Sequence, residues 1–281
     1  GTGLYSTYED ADDSYNSISG TSMASPNVMG TLLLLQQYYN DIFGNFMLAA
    51  TLKGLALHTA DDAGTSGPDA IFGWGLLNAK QAARTITNNG DETIISELTL
   101  NNGGSYSIDV VSDGLTDLVV SICWTDPAGS INSGTNSSTP ALVNDLDVRV
   151  TKSLNTYYPY RLTSITTNAN DGDNYVDPYE KIIIPAASGT YTINVTHKGT
   201  LSAPQDYSLI VTGLQGTPEA PIANFNANSL APMVTTETVN FYDLSENLPT
   251  SWSWSFNPST VSFVDGTYST SEKPKVRFNA S

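Results

Sequence analysis

Ser22 lies in the stretch "SGTSMASPNVMG" (Ser19 to Gly30), after Gly20 and Thr21 and before Met23, where a helix is expected to begin. A serine at that place could serve as a nucleophile. The first N–H groups of a helix have no acceptor inside the helix and point outward, so an oxyanion forming beside Ser22 Oγ would be stabilised. Gly20 has no Cβ and admits a close approach by a substrate backbone. Pro26, one turn in, lacks the N–H that would otherwise bond the Ser22 carbonyl. The same residues also fit an ordinary Ser/Thr helix cap, which involves no chemistry. Spacing and propensity leave both readings open.

A second set of residues is acidic. Asp145 and Asp147 are two apart on a strand-like segment, so their side chains share a face. Asp126, Asp171, Asp173, Asp177 and Glu180 could be brought together from loops. Hard oxygen ligands of this kind suit Ca²⁺, with Asp126, Asp145, Asp147, Asp173 and Glu180 as candidate ligands. "NDGDNYVDPYE" is not an EF-hand, because no starting position gives the acidic ligands together with Gly at position 6 and Glu at position 12. The competing reading is turn formation and solvated loop charge. The two histidines are His58, at the end of an expected helix in "LALHTADD", and His197 on an expected strand. Packing or capping suits the first and a plain surface place the second. Cys123, beside Trp124 in an apolar run, reads as core.

The elements that must position these residues change in kind along the chain. "ASPNVMGTLLLLQQYYND" (Ala24 to Asp41) is apolar nearly all round, as a helix buried in a larger domain would be. "GNFMLAATLKGLALHTADD" (Gly44 to Asp62) and "GWGLLNAKQAART" (Gly73 to Thr85) predict two further helices, and "GLYSTY" alternates like a strand. After "NNGDE" (Asn88 to Glu92) short β-rich runs alternate with turn clusters. "LVVSICW", "LDVRVT", "KIIIP", "TYTINVTH" and "DYSLIVTG" predict strands of an antiparallel sandwich or jelly roll. "GTPEAP" (Gly216 to Pro221) reads as a linker. A last block carries "ANFNANS", "TVNFYDLS", "PTSWSWSF" and "PKVRF". The chain is therefore read as multidomain, with boundaries at 1–90, 91–216 and 217–281.

Composition narrows the function classes. The 281 residues hold 11 Lys and Arg against 28 Asp and Glu, a formal net charge of −17. That balance excludes phosphate-backbone binding and hence nucleic acid, and it fits an acidic extracellular surface and cation binding. A single cysteine rules out an internal disulfide. The longest apolar run, "TLLLLQQYY", is too short to span a bilayer. The chain starts at Gly1 with no basic leader, and it is expected to be a piece of a longer protein.

"GTSMASPNVMG" closely resembles the active-site serine motif of the subtilisin-like serine proteases. "GLYSTY" resembles the strand before that loop, and "TADDAGTSGPDAIFGWGLLNAKQA" (Thr59 to Ala82) the family's closing segment. The family usually has His after the proline; Asn27 stands here, and that His is not the catalytic base. The resemblance implies that Ser22 is the nucleophile, within the motif residues Gly20, Thr21, Met23 and Pro26. It also implies an α/β catalytic domain of which 1–90 is the C-terminal part. In the family the order is Asp, His, Ser, so the base, its aspartate and an oxyanion-hole asparagine are expected before residue 1. The isolated chain is then expected to be inert.

"CWTDPAG", "ALVNDLDVRVT" and "DGDNYVDPYEKIIIPAASGTYTINVTH" resemble the β-sandwich that follows the catalytic domain in some bacterial subtilases, similar to the P-domain of proprotein convertases. That resemblance implies a bracing role and, in some cases, bound calcium. Pro218 to Ser281 resembles a PKD domain, an immunoglobulin-like sandwich, with "WSF" at Trp254 to Phe256. Its aromatic face could bind polysaccharide or a cell-surface protein; a spacer whose aromatics alternate between core and surface is the alternative.

The expected function is secreted serine endopeptidase in the parent protein, acting on polypeptides. A non-enzymatic adhesion or substrate-binding scaffold with a degenerate protease domain is the rival. Residues 1–90 would lack the sheet that their helices normally cover. They are expected to rearrange, to pack on the β-domains or to pair with another copy.

Overall fold

The computed structural model describes residues 2–135, 137, 139–217, 220–229, 236–246, 249–257 and 259–279. Pro218 and Glu219 of the expected linker lie outside that set. Chain contacts group the protein into two units, Gly1–Gly216 and Thr217–Ser281.

The first unit begins with a hairpin of β1 (Leu4–Thr7) and β2 (Tyr15–Ile18), followed by α1 (Thr21–Phe43), α2 (Ala49–His58) and α3 (Ala79–Thr87). Strands β3 (Thr93–Leu100), β4 (Tyr106–Asp113), β5 (Leu118–Trp124), β6 (Asp145–Lys152) and β7 (Asn155–Tyr157) follow. The unit continues through β8 (Tyr160–Arg161), β9 (Asn170–Asp171), β10 (Tyr179–Ile184), β11 (Ser188–Lys198) and β12 (Gln205–Thr212). All five runs singled out between residues 118 and 213 are strands; β3 and β4 join them as strands the sequence reading did not single out.

Two antiparallel sheets form the sandwich, in strand order β10-β5-β12-β3 and β4-β11-β6-β7. Their facing sides close one core that includes Trp124, Ile122, Val148, Ile193, Tyr207 and Leu209. The register of the first sheet puts Lys181 beside Ser121, and Ser121 beside Ile210. Residues of that odd–even set therefore face away from the core. The helices cover that outer face. Leu35, Tyr39, Leu55, Ala82 and Ile86 bury Ile95 and Ile210 beneath them. Ala50 and Leu57 of α2 and Trp74 cover Cys123 and Tyr179. A sheet buried on both faces explains why "LVVSICW" runs apolar without alternation. Of the three arrangements expected for residues 1–90, packing on the β-sandwich is the one seen. One side of α1 stays open, with Met29, Leu33 and Leu34 each about two-thirds exposed (66 %, 69 % and 66 %).

The third helix starts later than its pattern suggests. Gly73 and Gly75 are left-handed (φ 60° and 102°), and Leu76 bridges back to Asp61 through two backbone hydrogen bonds of 2.8 Å. A Cβ on Gly75 would lie 2.0 Å from the Asp61 carbonyl oxygen, so only glycine permits this turn. Asn78 then caps α3 by accepting the Gln81 N–H. The second helix likewise begins at Ala49, because Gly44 is the left-handed C-cap of α1.

The second unit is a four-stranded antiparallel sheet of β13 (Phe225–Ala227), β14 (Val239–Asp243), β15 (Val261–Phe263) and β16 (Lys275–Phe278), ordered β13-β14-β16-β15. Val239, Phe241 and Val276 make its core, with Trp254 and Phe256 against them. "SWSWSF" pairs into no strand here. Trp252, Trp254 and Phe256 are each half-buried and the serines between them are exposed. Trp252 Nε1 donates to Asp243 Oδ2 at 3.0 Å, and Trp254 Nε1 to the Ser271 carbonyl at 2.9 Å.

Candidate functional site

Ser22 is the second residue of the 23-residue helix α1. The N-cap is Gly20, in extended conformation and with no side-chain cap bond. The N–H groups of Met23 and Ala24 reach the Gly20 carbonyl at 3.2 and 3.3 Å. Those of Thr21 and Ser22 have no acceptor within the helix. Ser22 is exposed, and its Oγ makes no hydrogen bond among the described residues. A capping serine would spend its oxygen on an N–H of the first turn; this one does not. Thr21 and Pro26 are exposed beside it and Met23 is half-buried. The Met23 sulfur lies 3.6 Å from where a Gly20 Cβ would be. The site is thus an accessible hydroxyl at the positive end of a long helix.

Neither histidine reaches it. His58, 4 % exposed, bonds Ser121 Oγ through Nδ1 at 2.7 Å and Thr212 Oγ1 through Nε2 at 3.0 Å. It fastens α2 to β5 and β12. Burial, followed by the Lys181 charge, holds its pKa well below the ordinary 6.5, so the ring is neutral. His197 accepts the Gly103 N–H at 2.7 Å. Cys123 is buried, and burial pushes its thiol up to about 11, as suits a packing residue.

The five candidate calcium ligands do not form one set. Asp126 accepts the N–H groups of Val143 and Asn144 at 2.7 and 2.9 Å and organises that loop. Asp147 and Asp173 both bond Arg149 Nη2, the first at 2.9 Å. Lys198 Nζ bridges the same two carboxylates at 3.2 Å each. Glu180, fully buried on the core side of β10, accepts the Val148 N–H at 2.6 Å and lies 3.9 Å from Arg149. Asp145 Oδ1 and Glu180 Oε1 are buried with no partner among the described residues. Burial pushes Glu180 well above the carboxylate range and Asp145 up to about 6, favouring the uncharged form. A divalent cation needs several ionised oxygens aimed at one point. Here two protein cations hold Asp147 and Asp173, and among the described residues no three acidic, His or Cys side chains converge as ligands. Arg149 and Lys198 thus bridge Asp147 and Asp173, two of the carboxylates that the sequence offers to Ca²⁺.

Residues 2–75 match the model of the subtilase family. The matched stretch ends at Gly75, in the turn before α3, and holds Ser22 and its motif. Over 68 residues the chain is 38 % identical to an extracellular serine protease of Serratia marcescens. Over 65 residues it is 45 % identical to the autotransporter lipoprotein NalP of Neisseria meningitidis. It is 34 % identical over 76 residues to serotype-specific antigen 1 of Mannheimia haemolytica. These matches cover 24, 23 and 27 % of this chain but only 6, 6 and 8 % of those relatives. The matched segment spans the hairpin, α1, α2 and the Gly-Trp-Gly turn, and the matches support a protease-related origin. Among the described residues, no helix is long and apolar enough to cross a membrane.

Proposed function

We propose that this chain is part of a secreted subtilisin-like serine endopeptidase in which Ser22 attacks the scissile carbonyl of a polypeptide and forms an acyl-enzyme. The observation that carries this is the uncommitted, exposed Ser22 hydroxyl at the start of α1, inside the segment that matches the subtilase family. The Ser22 N–H contributes part of the oxyanion hole, and the helix dipole adds to it. Serine at its free pKa needs a base. Both histidines of the chain are engaged elsewhere, so the base and its orienting carboxylate come from residues outside these 281. The isolated chain is then inert as a peptidase. The sandwich braces the segment through α2, and the 217–281 unit is an immunoglobulin-like, PKD-like module. The names of the relatives, an extracellular protease and an autotransporter lipoprotein, support export.

The test is fluorophosphonate labelling of a longer protein that includes the preceding residues, beside its Ser22→Ala variant and the 281-residue chain. Labelling of the long wild type alone supports the proposal. A folded long protein that stays unlabelled after removal of any propeptide overturns it in favour of a binding scaffold.

A further inference from the structure

Where the ends of α2 and α3 meet the outer sheet face, the first unit holds a cleft of about 700 Å³, within the range of roughly 300–1,000 Å³ typical of small-ligand sites. Ser22 does not line it. The sheet contributes Lys181, α3 contributes Arg84, the end of β4 and the turn after it contribute Asp113 and Asp117, and the chain on either side of α3 contributes Asp61 and Glu92.

The charges of this cleft are unevenly engaged. Lys181 is 6 % exposed, yet its ammonium, with three donors, makes one hydrogen bond among the described residues, to the Leu57 carbonyl at 3.3 Å, and lies 5.9 Å over the Trp74 ring. Burial lowers its pKa to about 8, and the Asp62 charge opposes that shift. Arg84 has no ion pair or side-chain hydrogen bond among the described residues, in a protein with only 11 basic side chains. Asp113 is held by its own turn and Asp117 by the turn between β10 and β11. Asp113 Oδ1 accepts the Leu115 N–H at 2.8 Å, and Asp117 Oδ1 accepts the Ala186 N–H at 3.0 Å. Each keeps a second oxygen with no donor among the described residues, and both residues are exposed. The cleft therefore holds two cations with no ion pair among the described residues, and four carboxylates bonded by neutral N–H groups of the backbone, Asn78 and Asn88. A simple anion would meet the carboxylates, and a simple cation the lysine and arginine. A ligand with both charges, separated by a short neutral backbone, satisfies both.

We propose that this cleft binds a short zwitterionic peptide, its C-terminal carboxylate held by Arg84 and Lys181 and its ammonium by Asp113 and Asp117. The proposal does not require Ser22 to be catalytic. If Ser22 is, such peptides are products of the same protein and the cleft senses them.

The test uses the 281-residue chain in calorimetry and thermal-shift titrations. The probes are dialanine, dialanine amide, N-acetyl-dialanine, acetate and inorganic phosphate. Dialanine is expected to bind saturably and raise the melting temperature, with the amide and the acetylated form weaker by about tenfold or more. Arg84→Ala, at an exposed and unpaired position, should keep the unliganded melting temperature and lose binding by a similar factor; Lys181→Met should do the same to binding. The proposal is overturned by no saturable binding up to roughly 10 mM dialanine, by equal binding of acid and amide, or by unchanged binding in Arg84→Ala. Phosphate or acetate binding as tightly as dialanine would make this an anion site and overturn it equally.

Discussion

A Cβ built on Gly54 would lie 2.9 Å from Cys123 Cβ and 3.2 Å from Ile210 Cδ1. Helix α2 thus rests on the sandwich at a separation that only glycine allows, and Thr51 and His58 flank it on the same side. Thr51 Oγ1 donates to Glu97 at 2.5 Å and lies 2.8 Å from Ser208 Oγ. His58 bonds Ser121 and Thr212. The polar residues of the outer face are therefore matched to polar residues of the helix, one pair at each end of a central apolar contact.

Gly54→Ala tests that contact. In an exposed helix the change would be favourable by about 1 kcal/mol. Here the new methyl meets a strand side chain that is held by the sheet, and overpacking of this kind costs about 1–3 kcal/mol. Overpacking is the larger effect, so urea unfolding should show a net loss of up to about 2 kcal/mol. A gain would mean that the helix sits further from the sheet than described.

The acid limb of stability should depend on His58. Its folded-state pKa is depressed below 6.5 by burial and by Lys181, so the fold favours the neutral ring. Its contribution is fully present above about pH 6.5 and is lost as pH falls below that value, because the unfolded chain takes up the proton first. Melting temperatures of His58→Gln between pH 7.5 and 5 should fall less steeply than those of the wild type, even if the variant starts lower. Parallel profiles would show that the ring is not buried neutral.

Glu180 should act with the opposite sign. Burial raises its folded-state pKa well above 4.5, so its protonated form is favoured in the fold. That contribution is present below about pH 4.5 and is lost as pH rises toward the folded-state value. Glu180→Gln keeps the shape and an uncharged group that can accept the Val148 N–H. It should match the wild type near pH 4.5 and exceed it at pH 8. A variant less stable at pH 8 would show that the ionised carboxylate is needed, as a bound cation would require.

The subtilase-like segment around Ser22 and the strands between residues 118 and 213 are legible in the sequence, because both are local patterns: a contiguous motif, and β-branched runs between turns. What was not legible depends on tertiary contact. "LVVSICW" shows that a strand is buried, but not that α2 covers its outer side. "ELTLNN" and "SYSIDVVSD" alternate weakly and were passed over, although β3 and β4 complete the two sheets. The glycines around Trp74 were read as part of a helix, since only the approach of Asp61 reveals why they are needed. For the acidic residues, sequence gave proximity without counter-ions: Arg149 lies two residues from Asp147, but Lys198 comes from the neighbouring strand, placed by the register of His197 against Leu146.

That register yields the last prediction. Arg149 and Lys198 share Asp147, which is buried, and Asp173, which is partly exposed. Removing one partner of a buried pair costs about 3–5 kcal/mol; Lys198 remains and solvent reaches the cluster, so Arg149→Met should cost less, about 2–3 kcal/mol. Because the cluster is neutralised from within, EDTA should leave the wild-type melting temperature unchanged, and added Ca²⁺ should not raise it. In Arg149→Met the freed carboxylates gain the charge and space a cation needs, and Ca²⁺ should recover part of the loss. A wild type that loses stability in EDTA and regains it with Ca²⁺ would mean that a metal shares the cluster with the two side chains.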